Sequence, residues 1–399
     1  MCGKGMFWGI KKFLGLNKSR NISGQEPAKD IDYKRLEDRI KKISEKYKAA
    51  GISVAAVRNG VIDWTASLGY ADKENKIAVT SATAFRVASI SKVVTSMLVM
   101  SLWDKGIINL NEDISTYLGF KVKNPYYPDE PITLENIMTH TSSISDKGTY
   151  LAAVESGKGY PPLKEMLILE GAAYNMKNFY KYKPGSMNYN YSNFGYGIIA
   201  AIIESVTGKR FNDYAREAIF NPLNMNASYL PNYIEGAGNV ANIYRDGALS
   251  FSKDIALKGE ERVSKFLLGQ LYLLAQGNLY ISAPDMAKLM IVLMSDGGYE
   301  GARILSKEAV DVINKERTVA LRGHNKMRGL GLHITHSLVK GRTLRGHQGR
   351  AYGATNEMFY DLEDKTGVVY LSNGSKYTKA FNGFAAIGSE IINAVYDEI

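Results

Sequence analysis

Residues 85–105 read Phe85-Arg86-Val87-Ala88-Ser89-Ile90-Ser91-Lys92-Val93-Val94-Thr95-Ser96-Met97-Leu98-Val99-Met100-Ser101-Leu102-Trp103-Asp104-Lys105. A short apolar run, residues 85–88, leads into a long apolar helix that begins near Ser89 and that Gly106 ends. Ser89 and Lys92 form an S-x-x-K at the mouth of that helix. A serine hydroxyl is a weak nucleophile until a base takes its proton. Side chains three apart share a helix face. A lysine there can take the proton if burial or nearby charge lowers its pKa. The helix N-terminus adds free N–H groups beside the serine, suited to an oxyanion.

The pattern alone decides nothing, because Ser250 with Lys253 and Ser337 with Lys340 match it too. Ser250 follows an Arg245-Asp246-Gly247 turn, and Ser337 lies in a hairpin region before Gly341. Neither opens an apolar helix, so both read as surface residues. For Ser89 the competing reading is a plain helix cap.

Two further elements bear on that choice. Tyr191-Ser192-Asn193 is the single Y-x-N among 26 tyrosines, between the Lys183-Pro184-Gly185 turn and a helix starting at Phe194. A tyrosine beside a lysine can act as phenolate or proton donor. Asn193 offers a donor and an acceptor to a substrate amide, or caps the helix. His347-Gln348-Gly349 lies on an expected strand before Ala351-Tyr352-Gly353. There a side chain can stand over the serine, and Gly349 permits a substrate backbone to approach closely. A lone histidine in isolation reads as an ordinary core or surface residue.

Outward from these motifs, a helix is expected over residues 32–49. Strands over 52–57 and 61–67 join at Asn59-Gly60, a dipeptide suited to a tight hairpin. Helices are expected over 132–139, 194–207 and 284–294, a second hairpin over 357–361 and 368–372, and a last helix over 380–395. Strands at both ends with helices between predict an α+β fold: an antiparallel sheet flanked by helices, plus an inserted, mostly helical lobe. The boundaries read as about 30–115 and 282–399 for the sheet lobe and about 116–281 for the helical lobe. Residues 1–29 read as a leader and linker. Phe7, Ile10, Phe13 and Leu14 fall at helical spacing, but Lys11 and Lys12 interrupt the apolar run and no small-residue cleavage site follows. A helix on a membrane surface, a poorly ordered tail and a truncated export signal all fit this segment.

At 399 residues the chain has ample length for a core. No window reaches 18 consecutive apolar residues, so a conventional membrane span is not expected. Cys2 is the lone cysteine, which excludes an internal disulfide and a cysteine zinc site. The five histidines show no metal-ligand spacing, so neither metal nor cofactor is expected. The net charge of +10 carries no nucleic-acid motif with it; an anionic envelope polymer or membrane surface is the partner class it leaves open.

Taken together and in order, S-x-x-K, Y-x-N and H-x-G, separated by about 100 and about 155 residues, resemble the serine β-lactamase and penicillin-binding-protein superfamily. The closer likeness is to its class C-like branch of carboxypeptidases, esterases and D-amino-acid peptidases. Phe85-Arg86-Val87-Ala88, the stretch 132–142 with Thr139-His140-Thr141-Ser142, and Gly277-Asn278-Leu279-Tyr280 onward are similar to that branch. The resemblance implies a nucleophile at Ser89, with Lys92 and Tyr191 moving its proton. It implies substrate contacts at Asn193, His347 and Gly349, and an oxyanion held by the N–H groups of Ser89 and Arg350. The implied substrates are D-alanyl peptides, D-amino-acid amides or esters, small esters and β-lactams, and a cell-envelope location is favoured. A class C β-lactamase, a penicillin sensor that does not turn over and an inactive scaffold remain as alternatives.

Departures from the family pattern also matter. His347 stands where the family often has lysine, which argues against a dedicated β-lactamase. The literal Lys365-Thr366-Gly367 falls where a turn is expected. Ser143 replaces a usual glycine. Lys340, Arg342, Arg345 and Arg350 are expected as a basic rim around His347, suited to a substrate carboxylate. Tyr174, Phe179, Tyr180, Tyr182 and Tyr189 read mainly as loop packing.

Overall fold

The computed structural model describes residues 31–156, 161–258, 273–319, 327–380 and 382–399. The leader expected over 1–29 lies outside the described residues. The structure has a mixed α+β architecture built on an antiparallel sheet. Its long strands are β1 (Gly51–Arg58), β2 (Val61–Asp72), β3 (Leu344–Ala351), β4 (Ala354–Asp361) and β5 (Gly367–Ser372). They run in the order β3-β4-β5-β1-β2, so the two ends of the chain meet where Ala55 pairs with Val369. Short strands extend the sheet on both sides, to nine strands among the described residues.

Alternation explains the layers. Ile52, Val54 and Ala56 of β1 face one core with Val368 and Tyr370; Ala55 and Val57 face the other with Val369 and Leu371. The first core is closed by α1 (Tyr33–Lys46) and the last helix (Ala386–Tyr396), through Leu36, Ile40, Ile391 and Val395. The last helix starts six residues after its expected position. The second core is closed by α2 (Ser91–Asp104) and by the helix Ala283–Met294. Every residue of α2 from Ser91 to Leu102 is buried, so this helix is a central post rather than an amphipathic surface element.

The turns follow the residue types. Asn59 and Gly60 both take positive φ, 53° and 75°, as the hairpin requires. Lys365 has φ 54° in the turn between β4 and β5, so Lys365-Thr366-Gly367 is a turn that runs into the first residue of β5 and not a strand over the serine. Ser143 adopts φ 64°, the left-handed conformation that glycine favours, and its Oγ accepts from Asn124 Nδ2 at 2.9 Å. The loop therefore keeps a glycine-like shape without glycine.

Candidate active site

Ser89 sits in a short 3-10 turn, Ala88–Ile90, that leads into α2. Ala88 is held at φ 48°, a conformation costly for a residue with a side chain. Ser91 Oγ braces it by donating to Ala88 O at 2.6 Å. Lys92 is fully buried one turn on. Its Nζ lies 3.3 Å from Ser89 Oγ, 2.9 Å from Asn193 Oδ1 and 2.6 Å from Gln276 O. Burial pushes the Lys92 pKa down to about 7, with the Asp146 charge acting against that fall.

Two of those three neighbours are carbonyl oxygens, which only accept. A neutral amine has two N–H groups, and these two oxygens can take both. Its lone pair is then left toward the Ser89 hydroxyl. This is the geometry of a base poised on a nucleophile.

Tyr191 Oη is shielded from solvent and makes no hydrogen bond among the described residues, although the residue as a whole is only half-buried. Burial raises its pKa well above the ordinary tyrosine value, with the Ser89 side chain opposing. Of the two forms the sequence left open, phenolate and proton donor, burial favours the neutral, proton-donating hydroxyl. Its ring lies 4.9 Å from Lys92 Nζ. It also packs 4.4 Å from the ring of His140, a residue whose own part the motifs did not signal. His140 Nδ1 accepts from Ser192 N at 3.1 Å, which ties the Y-x-N turn to the 139–142 loop.

Ser192, not Asn193, caps the helix Asn193–Thr207, through Gly195 N to Ser192 Oγ at 3.0 Å. Asn193 is thereby free to turn inward to Lys92.

His347 lies on β3 opposite Met358, on the sheet face that packs toward α2. Its Nδ1 is 2.6 Å from Gln348 O; a carbonyl only accepts, so Nδ1 carries the proton and Nε2 is an acceptor. Burial first, then the Lys92 charge, lowers its pKa to about 3, so the imidazole is neutral. The His333 ring packs against it at 4.3 Å, tilted by 39°, and the Tyr191 ring lies 6.3 Å away.

Three expectations need correction. A Cβ at Gly349 would stand 2.0 Å from Val87 O and 3.2 Å from Ser89 N. Gly349 thus clears space for the protein's own Val87–Ser89 backbone rather than for a substrate. Arg350 alternates to the opposite face from His347 and lies over Tyr377 at 3.4 Å, so its side chain leaves the site. Nor does the basic rim gather around His347. Arg342 pairs with Asp361 and Asp364, and Arg345 pairs with Glu316 at 3.1 Å. Lys253 of one competing S-x-x-K pairs with Asp72 at 3.2 Å, and Ser337 of the other meets Thr335 Oγ1 at 3.0 Å. In the expected loop aromatics, Phe179 is core and Tyr180 stacks on Tyr182, while Tyr189 joins the His140 cluster.

The Beta-lactamase family model matches residues 36–388. The chain belongs to that family. It carries the serine-hydrolase fold of β-lactamases and penicillin-binding proteins. Penicillin-binding protein 4* of Bacillus subtilis (strain 168) is 25% identical over 87% of this chain and 73% of its own length. PbpX of the same organism is 29% identical over 68% of this chain, and the match spans only 62% of PbpX. The crystal structure of D-amino acid amidase from Ochrobactrum anthropi SV3 superposes with a TM-score of 0.69 at 21% identity. That superposition covers 91% of this chain and 99% of the amidase, and shows the shared fold.

Among the described residues no group of His, Cys, Asp and Glu is placed to hold a metal ion, and no helix is long and apolar enough to cross a membrane.

Proposed function

We propose that this β-lactamase-family protein hydrolyses small acyl substrates through a covalent ester on Ser89. The substrate classes are D-alanyl peptides, D-amino-acid amides or esters, and small esters, with β-lactams as acylating ligands. The observation that carries the reading is the environment of Lys92. It is a buried amine with two carbonyl acceptors and one hydroxyl neighbour, and its pKa lies near neutrality.

In acylation, Lys92 Nζ takes the Ser89 proton as Oγ bonds to the substrate carbonyl carbon. The carbonyl oxygen becomes an oxyanion beside the N–H groups of Ser89 and Arg350; the close passage of Gly349 over Ser89 supports the second of these. The tetrahedral centre then collapses. The proton held by Lys92 passes through the neutral Tyr191 hydroxyl to the leaving nitrogen or oxygen. Attack by water with the same proton path in reverse releases the acid and restores Ser89. His347 Nε2 offers the substrate an acceptor, and Asn193 stands beside its amide. Arg342 and Arg345, expected to meet a substrate carboxylate, are paired with Asp361 and Glu316 instead.

Intact mass spectrometry after incubation with a penicillin and with a p-nitrophenyl ester tests the reading. An acyl adduct, or ester turnover, in the native protein and neither in Ser89→Ala is the expected result. A persistent adduct with no turnover of either compound identifies a sensor. No adduct and no turnover overturns the hydrolase reading, and an unchanged reaction in Ser89→Ala moves the nucleophile elsewhere.

A further inference from the structure

Asp146 lies 47 residues before Asn193 and belongs to none of the three motifs. Its carboxylate accepts four hydrogen bonds. Ser192 Oγ and Phe194 N donate to Oδ1 at 2.8 and 2.9 Å; Asn193 N and Asn193 Nδ2 donate to Oδ2 at 2.9 and 3.0 Å. Two of these, from Asn193 N and Phe194 N, cap the helix Asn193–Thr207, as a carboxylate at a helix N-terminus commonly does, and the bond from Ser192 Oγ steadies the capping serine. The fourth does something a cap does not require. It holds the amide nitrogen of Asn193, and so decides which way round that side chain sits. With Nδ2 tied to Asp146, Oδ1 faces Lys92 Nζ at 2.9 Å.

The orientation matters to the base. Were the amide reversed, Nδ2 would face Lys92, and a donor would point at the amine. A neutral lysine would then spend its lone pair on Asn193 instead of on Ser89 Oγ. Resting on the Ser89 and Lys92 reading above, we infer that Asp146 is a positioning residue. It locks the Asn193 amide oxygen toward Lys92 and thereby aims the lysine lone pair at the serine.

The same carboxylate also acts on Lys92 through its charge, raising the lysine pKa against the larger effect of burial. Among the described residues, the other titratable groups around Lys92 include Tyr191 and Tyr196, whose rings lie 4.9 and 5.5 Å from Nζ, and His140, His333 and His347, on which the Arg328 charge also acts. Burial holds those tyrosines and histidines neutral, so Asp146 is the anion among them.

The test uses the full chain with Asp146→Asn and Asp146→Ser. Each removes the charge and leaves one side-chain oxygen in place of two, and Asp146→Ser, one bond shorter, also gives up the grip on Nδ2. The second-order acylation constant with p-nitrophenyl acetate is followed against pH, alongside a thermal melt. Two effects are expected in folded variants. The plateau falls about 10²-fold, the scale of a misaligned base. The acidic limb moves to lower pH, because without the anion Lys92 loses its proton more readily. A folded variant with an undiminished plateau, or with the limb at its native position, makes Asp146 a helix cap alone and overturns the inference. Ser89→Ala assayed in parallel separates the two failures. Loss of acylation there beside unaltered Asp146 variants overturns this inference alone; no loss there overturns the nucleophile reading as well.

Discussion

At Lys92 the cost of burial and the need of the chemistry point the same way. The amine is buried, which disfavours its charge, and it must be neutral to take a proton, which burial supplies. With the pKa near 7, acylation of the free enzyme is expected to rise with pH through that value and to fall below it as the amine becomes an ammonium. Lys92→Ala is expected to lower the acylation rate about 10²- to 10⁴-fold while leaving the fold in place, read by stopped-flow with a p-nitrophenyl ester. A pH profile that is flat across 6 to about 8 in the native protein contradicts this assignment of the base. Tyr191 shows what residue type alone leaves open. Beside a cation a phenolate is reasonable, but a hydroxyl shielded from water and without an ionic partner keeps its proton.

At the scale of elements, the site exists because one strand passes unusually close to one helix start. Gly349 on β3 meets the Val87–Ser89 backbone where a methyl group has no room. Gly349→Ala is therefore expected to push β3 away from Ser89. A loss of about 1–3 kcal/mol in stability by urea titration is expected from the overpacking. A fall of about 10²-fold in acylation is expected from the displaced Arg350 N–H. Stability lost without any change in acylation removes the oxyanion role from this strand. The helix caps follow residue type once the boundaries are known: Ser192, Ser282 and Thr133 each accept from the N–H three residues on, the first standing one residue before Asn193, which the sequence offered as the cap. The start of the last helix was placed too early: Asn382-Gly383, with Gly383 at φ 93°, makes a turn just before it, and Lys376 N is tied to Tyr47 O at the end of α1 at 2.8 Å.

At the scale of the whole molecule, one buried acid ties the sheet to the last helix. Glu357 on β4 accepts from Ala385 N at 3.1 Å, its other oxygen has no partner among the described residues, and a Cβ at Gly388 would stand 2.4 Å from it. Burial raises its pKa to about 8. Between the ordinary carboxyl range and about pH 8 the folded chain holds a proton that the unfolded chain has lost. By linkage, this group's contribution to stability then falls as pH rises through that window. Glu357→Gln is expected to gain stability relative to the native protein as pH increases from about 5 to about 8, by thermal melts at several pH values. A difference that does not change with pH shows that Glu357 ionises in the folded state as it does in the unfolded one.

Much of this protein was determined by its sequence alone. The strand alternation, the Asn59-Gly60 hairpin and the apolar helix behind Ser89 define local periodicities, and local periodicity is written residue by residue. The order of the three motifs was enough to point to the family. What only the tertiary structure decided is everything that depends on residues far apart meeting in a low-dielectric space. Asp146 became visible through its grip on Asn193, and Arg342 and Arg345 left the expected rim because Asp361, Asp364 and Glu316 were nearer partners. Tyr191 and His347 took their protonation states from burial, which no motif records. Hydrogen-bond direction and desolvation belong to the packed chain, and it is they that turn an S-x-x-K into a serine with a base aimed at it.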